Sequence, residues 1–196
     1  MRDVPEQLAG HPDRLRWNAR YEGGFGVSFD PHPLAVRALS LPLPDGPVAD
    51  LACGPSGSAL LAAARGRRVT AVDVSEVALD RLAQEALRRG LGRLITVVQA
   101  DLATWPPRPG SYALVLCTGF WDRAVFAAAA GAVAAGGALG WEALTADAWR
   151  DRPGLRPEWC LAPGAPASLL PAGFAVLDQH DAPHRARRLL LARRQG

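Results

Sequence analysis

Three aspartates stand where apolar runs end in the first half of the chain: Asp50 in VADLACGPSG, Asp73 in AVDVS and Asp101 in QADLA. Asp50 leads into a loop of glycine, proline and serine, in which glycine lets the backbone come close to a ligand. The helix start that follows such a loop exposes N–H groups without helical partners. Asp73, roughly twenty residues further on, is where an α/β nucleotide binder places the acid that accepts from sugar hydroxyls. Further along, His180 and His184 in QHDAPH have the chemistry of general bases for a thiol, hydroxyl or amine, although a solvated hairpin loop accounts for them more simply. Trp149 and Trp159, with Arg150, Arg152 and Arg156, offer stacking surfaces beside guanidinium groups and suit an anionic or aromatic small ligand. An ordinary surface loop would carry the same residues. Cys53 and Cys117 read as small apolar fillers rather than nucleophiles or metal ligands.

The elements that must hold these residues alternate. Short helices are expected over 12–22 and 33–41, separated by the glycine-rich EGGFGV, with Trp17, Arg20 and Tyr21 on the first and Phe25 just after it. Strands are expected at 47–53, 68–74, 94–100, 112–118 and 138–144. Helices fall between them at 58–65, 75–89 and 122–135. In the second of these, Leu79, Leu82, Ala83, Ala86 and Leu87 repeat with helical spacing as one core-facing stripe. Ser75 is its expected N-cap and Gly90 its stop. A short helix near 165–170 and two strands, 174–179 and 187–192, complete the chain. Near-continuous apolar strands alternating with helices imply an α/β fold with a mostly parallel sheet covered on both faces. Ligands of such sheets sit at the carboxyl ends of the strands, near the topological switch point. Asp50, Asp73, Asp101, Cys117 and Thr118 all fall on that rim.

Composition bounds the function. The chain has 196 residues, enough for one domain with a substantial core, and a mean hydropathy of +0.02. All 22 basic residues are arginine, and the net charge of +3 is too small to imply nucleic-acid or membrane attraction by itself. The three cysteines, Cys53, Cys117 and Cys160, are widely separated, which suggests neither a disulfide framework nor a zinc site and makes a reducing cytoplasm the expectation. No apolar stretch reads as a signal peptide or a membrane span. A single domain over 1–196 is expected, with 1–32 as a helical lid segment and 33–196 as the core.

The motif Asp50-Leu51-Ala52-Cys53-Gly54-Pro55-Ser56-Gly57, with Asp73 in AVDVS and Asp101-Leu102 in QADLA, resembles that of the class I S-adenosylmethionine-dependent methyltransferases. The resemblance implies a Rossmann-like seven-stranded sheet, mostly parallel, ending in an antiparallel hairpin. It also implies S-adenosylmethionine as cofactor. Asp50, Ala52, Cys53, Gly54 and Ser56 would line its amino-acid end, Asp73 and Val74 its ribose, and Asp101 and Leu102 its adenine, with Cys117, Trp17 and Tyr21 completing the site. Within that class, WNARY, VLCTGFWDRAVF, WEAL and RPEWCLAPG are similar to the small tellurite-resistance-type methyltransferases. That likeness implies a small-molecule acceptor near Trp121, Arg123, Trp149, Arg156 and Trp159, no nucleic acid or membrane partner, and a monomer or homodimer. Ala52 and Ser56 stand where the family's motif usually has glycine. Two other readings stay open: an NAD(P)-dependent oxidoreductase on the same fold, and a non-catalytic S-adenosylmethionine-binding protein. With no lysine in the chain, the Tyr–Lys arrangement of many reductases is impossible.

Overall fold

The computed structural model describes residues 4–24, 27–152, 154–182 and 186–196. Seven strands form one sheet: β1 (Val48–Leu51), β2 (Val69–Asp73), β3 (Ile95–Gln99), β4 (Tyr112–Thr118), β5 (Val133–Leu144), β6 (Phe174–Ala182) and β7 (Arg187–Arg194). Their order across the sheet is β3-β2-β1-β4-β5-β7-β6. β1 to β5 run parallel, and β7 lies antiparallel between β5 and β6. The chain builds outward from β1 to β3 and then crosses back to β4, so the switch point lies between β1 and β4. This is the Rossmann-like α/β sheet with a C-terminal antiparallel hairpin that the motifs imply.

Among the described residues, six α-helices accompany it: α1 (Pro12–Glu22), α2 (Pro33–Leu39), α3 (Gly57–Ala64), α4 (Glu76–Arg88), α5 (Arg123–Ala132) and the single turn α6 (Ala148–Asp151). Capping explains several of their starts. The hydroxyls of Ser56 and Ser75 accept from Ala59 N and Ala78 N, and Asp122 accepts from Val125 N. One face of the sheet packs under α5, where Phe126 meets Trp141 edge-on at 5.1 Å between ring centroids. The other face packs under α2, α3 and α4, around Leu34, Leu60, Leu82, Leu114 and Leu116. The apolar strands are buried because both faces are covered.

Several boundaries differ from expectation. The expected helix 122–135 stops at Ala132, because Val133 already pairs with Tyr112 as the start of β5. The register then shifts between Tyr112 and Leu114, where Gly136 takes a positive φ of 72°. Leu87 leaves the expected stripe of α4 and is 72% exposed, while Ala78, Leu79, Leu82 and Ala86 are buried. The expected helix near 165–170 is a 3₁₀ turn, Ala167–Leu169. β6 extends to Ala182, which puts His180 inside a strand rather than in the hairpin turn. Among the described residues, no helix is long and apolar enough to cross a membrane.

One glycine has a purely structural reason. A Cβ on Gly57 would lie 2.4 Å from both the carbonyl carbon and the oxygen of Asp30, and 2.5 Å from Phe29 O. The close approach here is to the chain's own backbone, entering from the segment before α2. Gly57→Ala is expected to lower the free energy of unfolding by about 1–3 kcal/mol, read from urea denaturation. An unchanged midpoint would show that the 27–32 segment yields at no cost.

Candidate functional site

The loop after β1 is folded around two buried carboxylates. Ala52 and Gly54 both take left-handed backbone conformations, with φ of 47° and 58°. Alanine therefore adopts the conformation that glycine usually supplies, at a steric cost. Asp73, 6% exposed at the end of β2, accepts from Gly54 N at 2.7 Å through one oxygen and from Ser75 N at 2.8 Å through the other. Asp50, 2% exposed, accepts from the Ser56 hydroxyl at 2.5 Å. Ser56 thus holds Asp50 and caps α3 at once, a use that glycine at this position could not serve.

Burial raises the pKa of both acids. For Asp73 the amides of Ser75, Gly54 and Val74 oppose the rise. Asp50 is pushed up to about 7 by burial and by the neighbouring Asp73, against the Ser56 hydrogen bond and the nearby His32. The thiols of Cys53 and Cys117 are also pushed up by burial and the nearby carboxylates, which suits fillers rather than thiolate nucleophiles.

α1 closes one side. Tyr21 is buried, and its hydroxyl would stand 2.9 Å from a Cβ on Gly54. Trp17 stacks on Tyr21 at 5.6 Å and 22°. Burial and Asp73 hold the Tyr21 phenol above its ordinary pKa. The helix is fixed to the start of α4 by a polar network: Arg14 pairs with Glu76 through two nitrogens, Asn18 Nδ2 donates to Glu76 at 2.8 Å, and Ser75 Oγ donates to Asn18 Oδ1 at 2.6 Å. Gln99 at the end of β3 donates to the same carboxylate and to Val74 O. Asp101 caps its own turn, accepting from Ala103 N at 3.0 Å, while its second oxygen faces His11 Nε2 at 3.6 Å. Leu102 is buried behind it.

The other side of the rim is more dispersed. Trp121 packs edge-on against Trp141 and tilted on Phe126, and Arg123 is exposed at the start of α5. Trp149 is 39% exposed on α6. Trp159, in the 3₁₀ turn Pro157–Trp159, has Arg156 over one ring contact at 5.2 Å and Arg16 of α1 at 5.0 Å. The expected insert residues therefore reach the N-terminal helix. His180 stands on the outermost strand, its Nδ1 3.0 Å from Asp178, which also pairs with Arg37 of α2. In register it lies two strands from Glu142, across Leu189. His184, and Phe25 at the other end, lie outside the described residues.

A polar cluster that the sequence did not reveal sits on the rim beside Asp50. Glu142, at the end of β5, meets Arg187 Nη1 at 2.8 Å and His32 Nε2 at 3.0 Å. His32 Nδ1 accepts from Leu34 N as the cap of α2, which leaves the ring hydrogen on Nε2, toward the carboxylate. His32 and Arg187 hold Glu142 below the usual carboxylate range in spite of its burial. His32 and Glu142 are separated by 110 positions, and no local pattern links them. A hollow of about 510 Å³ lined by Asp45, Gly46 and Arg65 to Arg68 opens at the opposite end of β1 and β2. Arg67 there is occupied by the carbonyls of Pro44 and Gly46, so the hollow has no part in this chemistry. Among the described residues, no group of His, Cys, Asp or Glu side chains could hold a metal ion.

A mostly parallel sheet with this hairpin is a Rossmann-like architecture, and acids stand at or just after the ends of β1, β2 and β3. Residues 48–137 match the family model described as a methyltransferase domain. The match covers less than half of the chain and makes that segment similar to a methyltransferase domain, a class whose cofactor is S-adenosylmethionine. No sequence among the curated proteins matches the chain. Among solved structures, the chain is similar to 1,6-didemethyltoxoflavin-N1-methyltransferase from Burkholderia thailandensis, with 17% identity over 100% of this chain and 93% of that one and a TM-score of 0.71. It is also similar to geranyl diphosphate C-methyltransferase from Streptomyces coelicolor A3(2), at 14% identity over 99% and 88% with a TM-score of 0.62. The [4+2]-cyclase SpnF is 18% identical over 96% of each chain, with a TM-score of 0.67. At these identities the likeness is one of fold.

The residues present fit the cofactor. Asp73, with amides on its two oxygens, would accept from the ribose hydroxyls, and Asp50 would offer a carboxylate to the ammonium group. An acid whose folded pKa is raised binds its proton more tightly folded than unfolded. The stability due to Asp50 therefore falls as pH rises from about 4 to about 7. Asp50→Asn is expected to be more stable than wild type at pH 8 and nearly equal at pH 4 by chemical denaturation. A gap of the same size at both pH values would overturn the assignment of the raised group.

Proposed function

We propose that the chain transfers a methyl group from S-adenosylmethionine to a small-molecule acceptor. The observation that carries the reading is the pair of buried carboxylates, Asp50 and Asp73, folded against the loop after β1 at the switch point of the sheet. The match over 48–137 supports it. The fold alone would not suffice, since one fold hosts many activities.

When bound, S-adenosylmethionine supplies a methyl group already activated on a sulfonium. What remains for the chain is to bind, orient and exclude water. Asp73 accepts from the ribose hydroxyls. Asp50 faces the amino-acid end, where its ionised form offsets the ammonium charge. Val74 stands beside Asp73 at the ribose and Leu102 at the adenine, with Asp101 accepting from its exocyclic amine. Ala52, Cys53, Gly54, Ser56 and Cys117 form the floor, and Trp17 and Tyr21 the side wall. The acceptor is assigned to the space bounded by Trp121, Arg123, Trp149, Arg156 and Trp159. In-line transfer would require those residues to hold the acceptor against the methyl group and to keep water out. An acceptor that must lose a proton would need a base, and His180 and His184 are the candidates. Asp178 orients the His180 ring through Nδ1 and leaves Nε2 for the proton. The tellurite-resistance-type likeness of WNARY and RPEWCLAPG favours an acceptor of small size. The neighbours named for a toxoflavin precursor and for geranyl diphosphate support the same size class. The proposed setting is a reducing cytoplasm, consistent with Cys53, Cys117 and Cys160 as free thiols. A monomer or homodimer acting without nucleic acid completes the reading.

Asp73→Ala is expected to weaken S-adenosylmethionine binding by about 1–3 kcal/mol, because two hydroxyls lose their acceptor. Isothermal calorimetry of the variant and of wild type measures this, with thermal unfolding of each free protein as the control for the loop. Affinity for S-adenosylmethionine in the wild type should also rise by up to about tenfold per pH unit toward pH 7 and level off above it. Wild type that binds NADH instead, or neither compound, would remove the proposal.

A further inference from the structure

The N-terminal helix and the segment after β5 meet through an unbroken run of alternating rings and guanidinium groups. Arg156 lies over the Trp159 ring at 5.2 Å, Arg16 lies 5.0 Å from the same ring and 5.4 Å from Trp17, and Arg20 lies 5.3 Å from Trp17. Trp17 stacks on Tyr21, whose hydroxyl reaches the Gly54 loop. α1 is docked on α4, beside β2, whereas the Trp159 segment leaves β5 on the other side of the switch point. A contact between them therefore spans the strand ends of β1 and β4, where the cofactor site lies.

The two sides of this span are not held equally. α1 is fixed by the two-nitrogen Arg14–Glu76 pair, by Asn18 and Ser75 in a buried network, and by Arg81 donating to Tyr21 O at 2.8 Å. The tip at Arg156–Trp159 meets α1 through the cation–π contact of the half-exposed Arg16, and it hangs from Leu161, whose N donates to Leu144 O. A partly buried, charge-assisted network resists opening far more than an exposed guanidinium over a ring.

We propose that the segment 155–161, not the N-terminal helix, is the moving gate of the cofactor site, and that Arg16 is the positioning residue that latches it. Arg16 is itself oriented by Asp13 at 2.9 Å. It touches neither cofactor nor acceptor and acts through Trp159 and Trp17. Opening separates Arg16 from Trp159 and leaves Trp17, Tyr21 and α1 in place. This inference rests on the S-adenosylmethionine reading above and adds which wall yields.

The test uses the full chain and S-adenosylhomocysteine. Arg16→Ala and Trp159→Ala should each speed its dissociation, followed by stopped-flow tryptophan fluorescence, by about two- to fivefold. The double variant should be no faster than the faster single one, because both remove the same contact. Arg16→Lys, which keeps the charge over the ring, should restore most of the wild-type rate. Hydrogen exchange should show 155–161 gaining protection on binding while α1 is protected throughout. If Trp159→Ala perturbs folding, Arg16→Ala and Arg16→Lys decide the matter alone. Equal dissociation rates in wild type and Arg16→Ala, or ligand-dependent protection appearing in α1 instead, would overturn the gate. Failure of wild type to bind S-adenosylhomocysteine would remove the functional reading itself, a result distinct from either.

Discussion

The carboxylate of Asp73 joins two connections that the sheet alone would leave independent. One oxygen takes the amide of the loop after β1, the other the amide that opens α4. Through Ser75 and Glu76 the same helix start holds Asn18 and Arg14, and so the whole of α1. The motif loop, the second strand and the N-terminal helix are therefore positioned by one buried acid. Its cost is the desolvation of a charge, which the amides offset in part.

Asp50 extends this arrangement toward the hairpin. Its partner Ser56 starts α3, whose first residue abuts the Phe29–Asp30 backbone leading to α2. The cap of α2, His32, bonds Glu142 of β5, and Glu142 bonds Arg187 of β7. Polar contacts thus run along the rim from β2 to β7, while the interior beneath is apolar on both faces. Paired acids with raised pKa on one flank and a neutralised acid on the other give the two flanks different affinities for cations.

What the sequence made legible depended on local spacing. Asp50, Gly54, Ser56 and Asp73 were readable because a strand, a loop and a helix follow in order, and α4 because its stripe and cap are contiguous. Leu87 misled because helical spacing marks a face but not how far that face is covered. Gly57, in the same loop, meets Phe29–Asp30, a contact set by the path of a distant segment. The His32–Glu142 and Arg16–Trp159 contacts join residues more than a hundred positions apart, so only the fold brings them together. The bulge at Gly136 was hidden because an alanine-rich run suits a helix until strand pairing with Tyr112 overrides it.

The hairpin inverts the order in which the sheet can be finished. β7 comes after β6 in the chain, yet it lies between β6 and β5, with Leu190, Leu191 and Ala192 buried at its centre. During synthesis β6 emerges with no strand to join, and β5 keeps an open edge until residues 187–194 have left the ribosome. Such an edge invites pairing with other chains. The nascent protein is therefore most exposed to aggregation after most of its core has been made, and the final strand serves as the seal.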